Sequence, residues 1–404
     1  KTSPPPFTLL HTMRCPLPTR ILFATLLVSI ASASSRPNIV LVMADDQGWG
    51  QVGYNGHPYL KTPNLDAMAA AGLRLDRFYA AGPVCSPTRA SVLTGRTPNR
   101  VGVPGHGYNL VLQEKILPRA LQQAGYATGQ FGKWHLNGVR GAGVPVLKDD
   151  ANHPGRYGFD TWISTTNYFD LNPLMSHQGE FKSMPGESSE VIVDEALKFI
   201  EAKSGTDTPF LAVIWFGSPH NPMLALPGDR PHLPDEKLSH HLGEIVAMDR
   251  SIGELRQGLR DLQIHENTLI WYCSDNGGLD LDPDACANLR GHKSDLFEGG
   301  IRVPGVVEWP GTIEHRIIDT PSSTMDIMPT LVDLLELPPE SLMEVHDGES
   351  LVPLFKGSTA PRTRPIPFVF QRSVALIDGD YKLLSLKIGD EDAWTLYNLR
   401  NDPG

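Results

Sequence analysis

The sequence predicts an α/β fold, with a large mixed, mainly parallel central sheet flanked by helices and a smaller C-terminal antiparallel-sheet subdomain. Three observations predict it. Short apolar runs, β-branched in part, alternate with helical stretches up to about residue 315. The runs are continuously apolar, as strands buried on both faces are. Beyond residue 315 the texture changes, and short strand-like segments follow one another.

Asn38 to Ala44 (NIVLVMA) reads as a buried strand. Thr62-Pro63-Asn64 then opens a helix through Leu65, Met68 and Ala69, since proline suits a first helical turn. Ile116 to Ala124 is a helix closed by Gly125, and Ala127 to Phe131 is a second strand. Val191 to Ala202 is a helix, and Phe210 to Phe216 (FLAVIWF) is a strand. The clearest helix runs from about Gly243 to Gln263. Its apolar residues Ile245, Met248, Ile252, Leu255, Leu259 and Leu262 recur in steps of 3 and 4, the mark of one buried face. Thr268 to Ser274 (TLIWYCS) follows as a strand. Met325 to Leu335 is helical, and Pro338-Pro339 stops it. Pro367–Gln371, Val374–Leu384 and Trp394–Leu399 supply the smaller sheet. The expected units are an upstream segment at 1–34, an α/β domain at 35–315 and a C-terminal subdomain at 316–404. The last residues, Asn401-Asp402-Pro403-Gly404, resemble no terminal element, so that subdomain is expected to be incomplete.

The 404 residues, 40% of them hydrophobic, suffice for one large core and a smaller one. A net charge of -11 argues against nucleic acid and anionic membranes as partners, while still allowing a local basic pocket. Arg14 and Arg20 precede the apolar run Ile21 to Ile30, and Ala31-Ser32-Ala33 fits a small-x-small cleavage site. That is the layout of an export signal. The apolar run is too short to span a bilayer, so no stable membrane anchor is expected. Residue 1 is Lys rather than Met, which makes Met13 a candidate start. The implied location is periplasmic or secreted.

Four cysteines are present, and Cys15 falls within the signal. Cys85, Cys273 and Cys286 remain, so at least one is unpaired or chemically special. No CxxC pair suggests zinc. Cys273 reads as a packed thiol, with a Cys273–Cys286 bridge as the alternative.

Asp45 and Asp46 stand just after the first strand, and Asp275 and Asn276 just after the Thr268–Ser274 strand. Ligands of open α/β sheets bind beyond the carboxyl ends of strands. Three carboxylates and an amide oxygen there suit a hard divalent cation, Ca²⁺ or Mg²⁺. Capping or turn roles are the plainer reading of either pair alone.

Cys85-Ser86-Pro87-Thr88-Arg89 continues through Leu93-Thr94-Gly95-Arg96. This run resembles the signature of the type I, formylglycine-dependent sulfatases of the alkaline phosphatase-like superfamily, both in its Cys-x-Pro-x-Arg core and in its Leu-Thr-Gly-Arg tail. Other stretches resemble that family in order. They are Pro37 to Asp46, Gly132-Lys133-Trp134-His135, Ser218-Pro219-His220, Ser274 to Gly278, Gly291-His292-Lys293 with Glu298 to Pro304, and Leu396 to Leu399. The resemblance spans about 37 to 404 and is weakest at 139–185 and 305–390.

The resemblance implies a sulfuric-ester hydrolase in which Cys85 is converted to formylglycine by a maturation enzyme. The aldehyde hydrate is then the nucleophile. It implies Asp45, Asp46, Cys85, Asp275 and Asn276 around one divalent cation, Ca²⁺ before Mg²⁺. A sulfate ester carries dispersed negative charge that shifts to the leaving oxygen as the S–O bond breaks. Fixed cations therefore help, and Arg89, Lys133 and Lys293 are the candidates. His220 is implied as the acid for the departing alcohol and His135 as the base for the last step. Arg89 lies four residues after Cys85 and shares its face if the segment opens a helix. The implied substrate is a sulfated carbohydrate or another sulfate ester. The alternatives are a phosphonate monoester or phosphodiester hydrolase of the same superfamily and a non-catalytic sulfoglycan-binding relative. The Pro-, Gly- and His-rich stretches Gly102–Asn109, Gly138–Asp170 and Pro222–His241 are the expected selectivity loops.

Overall fold

The computed structural model describes residues 1–6, 36–387, 389 and 394–404. The segment read as an export signal, Arg14 to Ala33, lies outside the described residues. The chain divides into Lys1–Ser35 and Arg36–Gly404, and the second unit holds everything that follows.

A ten-stranded sheet runs in the order Arg316–Ile318, Leu73–Leu75, Gly305–Glu308, Thr268–Ser274, Asn38–Ala44, Phe210–Trp215, Ala127–Lys133, Thr161–Thr165, Leu174–His177, Glu180–Ser183. Its five central strands, from Thr268–Ser274 to Thr161–Thr165, are mutually parallel. Antiparallel strands flank them on both sides.

The continuous apolar runs are explained by what each face meets. Along Asn38–Ala44, Ile39, Leu41 and Met43 join one core, while Val40, Val42 and Ala44 join the other. Thr268–Ser274 divides in the same way, with Leu269 and Trp271 on one side and Ile270 and Tyr272 on the other. Period-two geometry with both faces covered requires apolar residues throughout. Each such buried side chain contributes about 1.5–3 kcal/mol. The helices Pro63–Ala71, Ser188–Ser204 and Glu236–Asp261 cover one face. The helices Cys85–Thr94, Leu117–Gln123 and Ile327–Leu334 cover the other.

The long helix begins at Glu236, a turn or more before the expected Gly243. The Asp235 side chain caps it by accepting from the Leu238 N–H at 3.0 Å. The expected Met325–Leu335 helix resolves into a Ser323-capped 3₁₀ turn, Thr324–Asp326, followed by Ile327–Leu334. Val374–Leu384 is two strands, Ser373–Asp378 and Tyr381–Ser385, which pair antiparallel as a hairpin. With Ile366–Phe370 and Trp394–Asn398 they form the four-stranded antiparallel sheet. That sheet starts well beyond residue 315. Arg316–Ile318 belongs to the large sheet, and Ile327, Leu331, Leu354 and Phe355 pack in its core. The small sheet buries Ile366, Phe368, Ile377 and Leu384 against Ala81 and Val84, just before Cys85, and against Leu296 and Ile301, just after Lys293. It therefore braces both arms of the site.

Candidate active site

The two central strands end in register, Ala44 beside Ser274. The chain then turns outward at both ends. The Asp275 N–H donates to the Ala44 carbonyl at 3.1 Å, and the Asp46 N–H donates to Asp275 Oδ1 at 3.1 Å. Asp46 sits at φ 71 and His135 at φ 54, a region that costs a non-glycine residue energy. Asp45, Asp46, Asp275 and Asn276 are fully or almost fully buried at these strand ends. The Asn276-Gly277 turn packs on Gly299 so closely that a Cβ at Gly277 would lie 1.8 Å from the Gly299 carbonyl oxygen.

Cys85 is the first residue of the Cys85–Thr94 helix, and its Sγ donates to Asp45 Oδ1 at 3.3 Å. Burial, then Asp275 and Asp45, push the thiol well above its usual range, so the unmodified side chain stays neutral. Ligand atoms of Asp45, Asp46, Cys85 and Asp275 all lie within 4.8 Å of one another. Asn276 donates from Nδ2 to Asp46 Oδ1 at 2.8 Å and leaves its buried Oδ1 without a partner. Burial and then Asp45 push the Asp275 carboxyl up to about 7, although Arg89 donates to it at 2.7 Å. The cluster thus crowds three carboxylates and a thiol within 4.8 Å of one another, together with one unspent oxygen. That donor set fits a hard divalent cation.

The three basic residues converge on these carboxylates. Lys133, at the end of the Ala127–Lys133 strand, donates to Asp45 Oδ2 at 2.6 Å. Lys293 donates to Asp46 Oδ2 at 2.7 Å. Arg89 donates to Asp275 and, at 3.3 Å, to the Lys133 carbonyl, while its guanidinium packs 5.0 Å from the Trp215 ring centroid. Burial opposes charge on Asp45, but Lys133, His220, Arg89 and Lys293 together hold its carboxyl well below the usual range.

A cavity of about 240 Å³ opens over Cys85. Lys293, His135, His220, His106, Arg140 and Tyr168 are among its walls. Arg89 and Lys133 are not; both are fully buried behind the carboxylates. His220 turns Nε2 toward Asp46 Oδ2 at 3.7 Å, pairs Nδ1 with the Asn221 carbonyl and stacks on Tyr168 at 4.8 Å. His135 has neither ring nitrogen bonded, and burial, then Lys133 and Arg89, depress its pKa well below the usual imidazole range. All six expected catalytic residues and all the expected ligands therefore meet in one place.

Sequence reasoning missed His106, Arg140, Asn167 and Tyr168. All four stand in the stretches Gly102–Asn109 and Gly138–Asp170, whose Gly and His content was the only signal. No residue of Pro222–His241 lines the cavity. Cys273 and Cys286 are free, buried thiols, so the alternative bridge does not form. His57 belongs with the structural histidines: it pairs with Asp282 at 3.0 Å through Nε2, and its Nδ1 accepts from the Leu60 N–H.

A doubly covered parallel sheet with buried carboxylates at its strand ends and a helix-borne cysteine above them is the architecture of the alkaline phosphatase-like class, which the solved structures below share. The Sulfatase family pattern matches residues 37–337, and the chain belongs to that family: it is a sulfuric ester hydrolase. It is 34% identical over 392 residues to the N-acetylgalactosamine-6-sulfatase of Canis lupus familiaris, covering 87% of this chain and 72% of that one. The crystal structure of Ps i-CgsB in complex with k-i-k-neocarrahexaose superposes with a TM-score of 0.81 at 26% identity, over 91% of this chain and 87% of that one. The phosphonate monoester hydrolase of Agrobacterium radiobacter shares the fold, with a TM-score of 0.65 at 22% identity over 91% and 90% of the two chains. Among the described residues no helix is long and apolar enough to cross a membrane.

Proposed function

We propose that the chain is an exported enzyme that removes sulfate from a sulfated carbohydrate, with the side chain at position 85 as nucleophile after conversion to formylglycine. The observation that carries this reading is the position of Cys85. Its Sγ faces Asp45 at 3.3 Å, on the floor of a cavity walled by Lys293 and three histidines. A neutral buried thiol is a poor nucleophile, which favours a matured side chain there. A formylglycine hydrate at position 85 would supply an oxygen nucleophile and a second hydroxyl, whose deprotonation would let sulfate leave. Asp45, Asp46, Asp275 and Asn276 would hold a divalent cation, which would supply positive charge at the reacting centre. The carboxylate-rich oxygen set favours Ca²⁺ over Mg²⁺.

The chain's own residues divide the remaining tasks. Lys293 alone among the three cations both touches a carboxylate and faces the cavity, so it meets the sulfate oxygens. Arg89 and Lys133 act from behind, Arg89 orienting Asp275 and Lys133 keeping Asp45 oriented and charged. Protonated on both nitrogens beside Asp46, His220 gives the Nε2 proton to the departing alcohol, while its Nδ1–H stays on the Asn221 carbonyl. His135, neutral and unpartnered, takes the proton released in the last step. The net change is sulfate ester plus water to alcohol, sulfate and a proton. The carbohydrate substrate is supported by the names of the relatives, an N-acetylgalactosamine-6-sulfatase and a structure solved with k-i-k-neocarrahexaose.

Peptide mass spectrometry across Cys85, on protein co-expressed with a formylglycine-generating enzyme, tests the reading. A mass below that of the cysteine peptide is expected, as is turnover of para-nitrophenyl sulfate far above that of an aryl phosphate diester. Cys85→Ala should abolish turnover while a sulfated sugar still binds. Parent-like turnover by that variant, or a preference for the phosphodiester, would sink the proposal.

A further inference from the structure

The cavity over Cys85 is not a closed box. At His106 and Arg140 it meets a second hollow of about 380 Å³, lined also by Asn99, Tyr108 and the Val369–Gln371 edge of the C-terminal sheet. Pockets that enclose a drug-sized ligand span roughly 300–1,000 Å³, so the inner 240 Å³ alone is small for anything longer than one sugar ring. A longer glycan must run on past Arg140.

Arg140 is held in place at that junction. Its stem lies on Gly107: a Cβ there would come within 2.1 Å of Arg140 Cγ, and Gly107 itself has φ +68. Its guanidinium lies 5.4 Å from the Tyr108 ring centroid, a cation–π distance. Yet among the described residues no carboxylate pairs with it, whereas Arg77, Arg89, Arg96, Arg100, Arg250 and Arg256 each have one. A guanidinium with a seated stem, a free donor fork and an aromatic neighbour is built to take a planar or tetrahedral oxyanion. Tyr108 is 41% exposed beside it and offers a face for sugar C–H groups.

We propose that Arg140 and Tyr108 form an anion subsite next to the scissile position, and that the preferred substrate is an oligosaccharide with a second anionic group on the neighbouring sugar. That group is a uronate carboxylate or another sulfate. The inference rests on the sulfatase reading and deepens it.

The test compares the parent with Arg140→Met, Arg140→Lys and Gly107→Ala on matched probes. These are para-nitrophenyl sulfate, a monosulfated disaccharide with a neutral neighbour, one with a uronate neighbour and one with a sulfated neighbour. Arg140→Met should lower kcat/KM roughly ten- to a hundredfold on at least one dianionic disaccharide, mostly through KM. The aryl sulfate and the neutral-neighbour disaccharide should lose several-fold less than that. Arg140→Lys should recover part of the loss, and Gly107→Ala, which displaces the stem, should reproduce part of it. The dianionic probe that responds identifies the anion. Equal losses on all four probes, or no loss on any, would overturn the subsite. A parent that turns over no probe, para-nitrophenyl sulfate included, would overturn the sulfatase reading and the subsite with it.

Discussion

Lys133 Nζ lies 2.6 Å from Asp45 Oδ2, and neither side chain has any exposed surface. The pair sits behind Cys85 rather than in the cavity, so Lys133 is expected to act through Asp45. Groups that orient ligating carboxylates typically contribute ten- to a hundredfold to metal affinity or activity, in the range of about 1.4–2.7 kcal/mol. Lys133→Met should therefore lower kcat on para-nitrophenyl sulfate by roughly that factor, and more Ca²⁺ should recover part of it. Steady-state rates over a Ca²⁺ series check this. A variant within about threefold of the parent at every Ca²⁺ level would show that Asp45 needs no such partner.

The unpartnered Asn276 Oδ1 and the crowded Asp45, Asp46 and Asp275 carboxylates predict cation-dependent stability. A ligand present at a hundred times its Kd stabilises the folded state by about 2.7 kcal/mol. Calcium added to chelator-treated protein should raise Tm by several degrees, with a smaller rise for Mg²⁺, and turnover should return in parallel. Asn276→Leu, which removes the spare oxygen, should shrink the rise. Scanning calorimetry with and without chelator decides the matter, and an unchanged Tm would count against a cation at this cluster.

Glu187 and Glu244 are buried carboxyls behind the His220 loop, and Glu244 accepts from Ser218 Oγ at 2.5 Å. Burial, with Asp170 and Glu187 as neighbouring charges, raises the Glu244 pKa to about 8, and burial raises that of Glu187 to about 7. An unfolded glutamate titrates near 4.3. Both groups thus hold their protons more tightly folded than unfolded, so the unfolded chain releases them first as pH rises. Their contribution to stability is fully present below about pH 4.3 and is lost as pH climbs through 7 and 8. Glu244→Gln keeps an acceptor for Ser218 but cannot ionise, so its Tm should decline less than the parent's between pH 5 and pH 8. Identical pH profiles for the two proteins would place the titration elsewhere.

What the sequence revealed follows from what was local. Asn38–Ala44 and Thr268–Ser274 are legible to the residue because burial on both faces leaves only apolar side chains. Glu180–Ser183 is exposed throughout, has no apolar period to read and went unseen. The first turns of the Glu236–Asp261 helix, EKLSHHL, are largely polar, so only their Asp235 cap announces them. In the site, the cysteine motif and the two strand ends are short segments whose chemistry travels with them. Which cations face the ligand is a matter of long-range packing. Nothing in their own segments says that Arg89 and Lys133 turn to carboxylates while Arg140 has no carboxylate partner among the described residues.

Lys382, on the Tyr381–Ser385 strand, donates to Glu298 Oε1 at 3.0 Å, and both side chains are almost wholly buried. Glu298 also accepts from the Tyr79 hydroxyl at 2.9 Å, and it opens the short helix that follows the Lys293 arm. The small sheet is thus tied by one ion pair to the segment that delivers Lys293. Removing one partner of a buried pair strands a charge and costs about 3–5 kcal/mol, whereas replacing both by uncharged groups is often nearly neutral. Arg302 stays 3.9 Å from Glu298, so Lys382→Met should destabilise the fold by up to that amount in urea titrations, and Lys382→Met with Glu298→Gln should recover most of it. Below the transition, kcat of the double variant should stay within about threefold of the parent, because Lys293 keeps its own carboxylate partner, Asp46. A double variant as unstable as the single one would mean that Lys382 acts through its packed stem rather than through its charge.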